Sequence, residues 1–166
     1  MKTRKQKISY IFSFTFVTAI TIIYLFISIV LIPYWQGLSG SEIQEWWGDF
    51  FTRFPYLMVP VHLLSMITIL IAFAIHLKQE KSIKRTWWLI ALLTLFICQA
   101  FNFALHGTVY NPALQSGLLE PKEALVVFDN WAFYHNLRTL AVCISLVFLI
   151  GIGIVKTKKR IPLNRN

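Results

Sequence analysis

Four long apolar stretches constrain this chain more tightly than any other feature of its sequence. They cover residues 8–32, 56–77, 87–110 and 131–155. An α-helix rises ~1.5 Å per residue, so ~20 apolar residues cross the ~30 Å hydrocarbon core of a bilayer. Lipid offers no hydrogen bonds to a backbone, which leaves helices or closed barrels as spanning structures. Strand-like alternation is absent from these segments. The expected fold is therefore all-α: a bundle of four transmembrane helices forming one integral membrane domain over residues 1–166. Composition agrees, since 57% of residues are hydrophobic and 14% charged, where a soluble domain carries ~25% charged.

Charge sets the expected orientation. Lys2, Arg4, Lys5 and Lys7 precede the first span, and Lys78, Lys81, Lys84 and Arg85 lie around the second connection. Lys156, Lys158, Lys159, Arg160 and Arg165 follow the fourth span. On the opposite side lie Glu42, Glu45, Asp49, Glu120, Glu123 and Asp129. Basic residues favour the cytoplasmic face, so both termini are expected there, in a bacterial-type inner (plasma) membrane. The net charge of +9 reads as a topology signal and an attraction to anionic lipid headgroups, not as a nucleic-acid footprint. The first apolar run exceeds the ~7–15 residues of a cleavable signal and no small-residue cleavage site follows it, so it reads as a retained helix. Cys98 and Cys143 form no C-x-x-C pair and read as small apolar fillers.

The first outer loop reads "SGSEIQEWWGDFFTRFPY". Ser41 and Gln44 have capping-box spacing. Ile43, Trp46, Trp47, Phe50, Phe51 and Phe54 then recur at helical intervals. A short amphipathic helix lying flat at the outer surface is expected, its rings forming an aromatic belt. A lid over something beneath is the sharper reading.

Polar residues within the spans are candidates for function, because a charged or polar group in lipid is costly unless paired. His62 follows the outer end of the second span closely. Gln99, Asn102 and His106 share one face of the third. His135 and Arg138 share one face of the fourth, with Trp131 a turn above. A shared polar pocket near the outer face is expected from His62, Asn102, His106, Asn111, His135 and Arg138. His76, near the other end of the second span, reads as an interface residue. Plainer roles exist: Arg138 could snorkel to headgroups, and Gln99 and Asn102 could bond helix to helix.

Three chemistries suit such a pocket. Imidazoles on separate helices can hold a metal or haem, with His62, His106 and His135 as ligands. No H-x-x-x-H or E-x-x-H spacing specifies one, so the sequence requires neither cofactor. Proton transfer is the second: His135 or His106 as base, and Arg138 to stabilise the anion formed. Binding of a quinone-like molecule or a lipid headgroup, without chemistry, is the third.

The stretches "VYNPAL" and "NWAFYHNLRTLAV" resemble the C-terminal part of the anthrone oxygenase-like family of small four-helix membrane proteins. Asn111 and Pro112 match an Asn-Pro element after the third helix. Trp131, Asn136, Arg138 and Thr139 match a motif opening the fourth. This chain reads His135-Asn136 where the family more often has Asn then His. The resemblance implies an oxygenase-like oxidoreductase acting on a hydrophobic phenolic or quinone-like molecule, with Trp131 and Asn136 added to the ligand-binding residues. The alternative is a non-catalytic accessory protein that binds membrane lipid or a partner membrane protein. Oligomeric state is left open, a homo-oligomer included.

Overall fold

The computed structural model describes residues 3–77 and 83–155. Four helices in it are long and apolar enough to cross a membrane. They are α1 (Arg4–Trp35), α2 (Gly40–Leu77), α3 (Ile83–Gln115) and α4 (Pro121–Ile154). Among the described residues there is no strand. Large apolar side chains such as Ile29, Phe133, Leu140 and Val147 are exposed on the outside of the bundle. A continuous apolar exterior of that kind suits lipid and not water, and the chain has the form of a multi-pass membrane protein.

The connections at residues 36–39 and 116–120 are short, which makes sequential helices antiparallel neighbours. Among the described residues, the acidic ones gather at the end of the bundle bearing these two connections. That end is called the acidic end here, and the opposite one the basic end. Gly117 makes the turn into α4 with a φ of 67°, a left-handed conformation that favours glycine. Pro121 opens α4 at a position where a missing N–H costs nothing.

The segment after the first connection is helical, as its periodicity predicts, but it is not a separate element lying flat. It is the first part of α2, which runs unbroken through Pro55 and Pro60. Its cap is Ser39, not Ser41. Glu42 accepts from the Ser39 backbone N–H at 2.7 Å, and the Glu42 N–H reaches back to Ser39 Oγ at 3.4 Å. Gln44 is thereby free for a different task. Its amide donates to the Leu119 carbonyl at 2.9 Å and accepts from the Leu119 N–H at 3.1 Å, tying α2 to the turn before α4.

The aromatic face of this segment points inward. Trp47 lies 4.8 Å from Trp131 and 5.1 Å from Trp35, centroid to centroid. Ile43, Trp47 and Phe51 are buried with Trp35, Phe128 and Trp131 in one cluster that closes the acidic end. Packing against α1 and α4 buries more apolar area than a headgroup belt could, which explains the upright helix. A second cluster, built around Val17, Ile20, Ile69, Trp88, Leu95 and Leu149, fills the bundle toward the basic end. Small polar side chains stitch the helices there: Ser13 donates to the Thr68 carbonyl and Ser145 to the Ala91 carbonyl. Lys84 donates to the Ile152 carbonyl at 3.0 Å, satisfying one of the free carbonyls that end α4. His76 is buried and stacks on Trp88 at 5.1 Å, an interface residue as expected.

Two helices widen into π-helix, at Ile27–Leu31 in α1 and Asn102–Tyr110 in α3. Each stretch ends just before a proline, Pro33 and Pro112. A proline removes one backbone donor and collides with the carbonyl four residues earlier, here Ile29 or Thr108, so the preceding turn loosens. The second π stretch carries both Asn102 and His106.

Candidate functional site

At the level where the two aromatic-rich ends of α1 and α4 give way to aliphatic packing, polar side chains from all four helices meet. Asn102 lies 19 residues after Ile83, and His135 lies 19 residues before Ile154. That is ~28 Å of helix rise from the basic end, near the far edge of a ~30 Å hydrocarbon core.

Arg138 is the hub. It is only 5% exposed, so it does not snorkel to headgroups. Its Nε and Nη2 donate to His135 Nδ1 at 3.2 and 2.6 Å. Its Nη1 donates to Asn102 Oδ1. The guanidinium also sits over the Tyr24 ring at 4.7 Å and the Trp131 ring at 5.8 Å, positions that favour a cation. Every partner is neutral. No carboxylate pairs with Arg138 among the described residues, and two of its five N–H groups are left unused by these bonds.

A guanidinium can only donate, which fixes the roles around it. Asn102 must turn its oxygen to Arg138 and its NH₂ to His62 Nδ1, 3.2 Å away. His62 Nδ1 therefore accepts, and His62 Nε2 carries the proton, donating to the Tyr24 hydroxyl at 2.8 Å. His135 Nδ1 accepts from Arg138, so its Nε2–H donates to the Tyr24 carbonyl at 3.2 Å. The π turn that begins just past Tyr24, at Ile27, belongs to the same stretch of loosened helix. Tyr24, His62, Asn102, Arg138 and His135 thus close a ring of hydrogen bonds.

A second tier lies toward the acidic end. Trp131 stacks on His135 at 5.0 Å, and its indole N–H donates to Asn111 Oδ1 at 3.0 Å. His106 is buried, with its two nitrogens 3.3 Å from the Phe101 and Trp131 carbonyls. A neutral imidazole can donate to only one of them. Thr139 donates to the His135 carbonyl at 2.9 Å and meets Ser28 at 3.1 Å, fixing this turn of α4 against α1.

The predicted residues divide clearly. His62, Asn102, His135 and Arg138 share the ring, while His106, Asn111 and Trp131 form the tier above it. Asn136 does not belong: it is exposed, because the next position on a helix turns ~100° away from His135. The metal assignment to His62, His106 and His135 does not fit either. No group of three His, Cys, Asp or Glu residues among the described ones could hold a metal ion. Both nitrogens of His62 and His135 are committed to the ring.

Two participants lie outside the expected pocket. Tyr24 was read as part of an apolar span, although a lone tyrosine deep in a span is itself a polar signal. Gln99 shares the candidate face of the third span with Asn102 and His106 but stands outside the expected pocket, and neither its amide oxygen nor its nitrogen has a hydrogen-bond partner. Gln99, His62 and Asn102 line a cavity of about 240 Å³ between α2 and α3. Of the ring, His62 and Asn102 reach the cavity, and Asn102 is the link from it to the guanidinium.

No family model, no curated protein and no solved structure matches the chain.

Proposed function

We propose that this protein is a membrane oxidoreductase of the anthrone oxygenase-like kind, acting on a hydrophobic phenolic or quinone-like molecule. We also infer, from the basic residues, that both termini face the cytoplasm. The observation that carries the reading is Arg138: a buried guanidinium whose partners are all neutral. A buried cation without a counter-ion stabilises negative charge developing nearby far more than it could in water. A phenol or an acidic C–H beside a carbonyl develops that charge when it loses its proton.

His62 is the imidazole on the cavity wall, in place of His106 or His135, and is the base in this mechanism. It takes the proton at Nδ1 once the Asn102 NH₂ turns aside, and the ligand keeps the electron pair as an enolate or phenolate. Arg138, acting through Asn102, offsets the negative charge. Dioxygen dissolved in the apolar bundle is the oxidant: carbon–oxygen bond formation followed by loss of water leaves a new carbonyl. A second reading, a non-catalytic accessory protein, is favoured by one observation: both nitrogens of His62 and of His135 are already engaged.

The test uses the detergent-purified full chain with anthrone in aerated buffer. Conversion to anthraquinone above the spontaneous rate is expected, with saturable binding. Arg138→Leu should lower binding at least tenfold, ~1.4 kcal/mol, with a smaller effect on thermal unfolding. Binding without turnover selects the accessory reading. Unchanged binding in Arg138→Leu reduces the arginine to a structural role.

A further inference from the structure

We infer that the α2–α3 cavity admits its ligand sideways from the bilayer and grips the ligand's polar head with Gln99. This rests on the proposed binding of a phenolic or quinone-like molecule and names its route and head-group contact.

The mouth of the cavity is rimmed by Val59, Leu63, Phe96 and Phe103, all exposed on the outside of the bundle. In a membrane that outside is acyl chain, so the mouth opens into lipid and not into water. The lining is largely apolar, and its polar residues are His62, Gln99 and Asn102, the first two buried toward the core. A path from hydrocarbon through an apolar lining to a few polar side chains suits an amphiphile that lives in the membrane.

Gln99 supplies the second observation. It is 6% exposed, and its Nε2 and Oε1 both lack a partner. Buried amides are nearly always hydrogen-bonded, since leaving one unpaired costs as much as a lost hydrogen bond. A side chain that can both donate and accept thus lies beside a cavity with its amide enclosed, and a change of rotamer brings that amide to a ligand there. His62 and Asn102, in contrast, spend their hydrogen bonds on each other and on the ring. The head group that answers Gln99 carries an oxygen able to accept, with a hydroxyl able to donate in the reduced form: the carbonyl or phenol of a quinone or quinol.

Size specifies the rest. A cavity of about 240 Å³ falls below the ~300–1,000 Å³ that encloses a whole drug-sized ligand. It holds a ring and leaves a tail outside among the lipid chains. The ligand class is a ring quinone, quinol or phenol bearing an apolar tail.

The experiment measures quenching of tryptophan fluorescence by decyl-benzoquinone in the detergent-purified full chain, together with thermal unfolding. Wild type should be quenched saturably. Gln99→Met, which keeps length and removes the amide, should weaken binding about tenfold while raising the unfolding temperature without quinone. Ala100→Leu, which fills the mouth, should weaken binding at unchanged stability. Quinone binding lost in Arg138→Leu but kept in Gln99→Met overturns the cavity and leaves the proposed function standing. The reverse pattern keeps the cavity and overturns the proposed function. Absence of saturable quenching in wild type, a lower unfolding temperature in ligand-free Gln99→Met, or full displacement of the quinone by phosphatidylglycerol each overturns the inference.

Discussion

Arg138 and Asn102 decide the character of the site, because one brings an uncompensated charge and the other couples that charge to the cavity. Asn102→Asp separates the two roles. The carboxylate keeps the hydrogen bond to Nη1 and neutralises the guanidinium, at the loss of one donor to His62. Unfolding temperature should stay near that of wild type, since a buried charge gains its partner. Binding of a phenolic anion should fall at least tenfold, ~1.4 kcal/mol. Asn102→Ala, by leaving His62 Nδ1 and Arg138 Nη1 without partners, should lower both. Calorimetric unfolding and titration with a naphthol of low proton affinity read the two effects. At this scale the sequence was a partial guide. His135 and Arg138 were legible because three-residue spacing puts them on one helix face. Asn136 was misread because a family motif says which residue types occur, not which way each one turns. Tyr24 escaped because its partners, His62 and His135, lie 38 and 111 positions away.

Helix ends and helix contacts hold the site's roof. At Gly40 an added Cβ would stand 1.9 Å from the Pro121 carbonyl oxygen, backbone against backbone. Gly40→Ala must push α2 away from α4 and disturb the aromatic cluster above Trp131. A cost of ~1–3 kcal/mol is expected, typical of overpacking. Gly48, in the same helix, has nothing within 4 Å of an added Cβ. Gly48→Ala should therefore stabilise by ~0.5–1 kcal/mol through helix propensity alone. Unfolding of the two variants in one detergent gives opposite signs if α2 packs as described. The helical character of residues 41–54 was legible from its periodicity. Its union with α2 was not, because Pro55 reads locally as a break, whereas the packed aromatic face outweighs the lost hydrogen bond. The π turns were equally hidden: prolines were visible, but which turn would widen depends on the neighbours that take up the slack.

Orientation belongs to the molecule as a whole. The basic residues at one end and acidic residues at the other imply that the connection at residues 116–120 faces outward. Leu118 is 88% exposed in that connection. Leu118→Cys should react with a membrane-impermeant maleimide on intact cells, while native Cys98 and Cys143, buried and half-buried in spans, stay unlabelled. Reaction only after lysis would invert the topology and put the polar network on the cytoplasmic side. The lateral cavity would then open into the inner leaflet, and the ligand class would be unaffected.

The amino-acid order alone determined the number of spans, their helical form and the depth at which polar groups occur, because lipid penalises every unpaired backbone group and every stray charge. Rotation of the helices about their axes was decided only in three dimensions. Spacing along one helix fixes which of its residues share a face, but that face can turn to lipid or to a neighbour until all four helices pack. Packing turned His62, Asn102, His135 and Arg138 toward Tyr24, and left Gln99 unpaired beside the opening between α2 and α3.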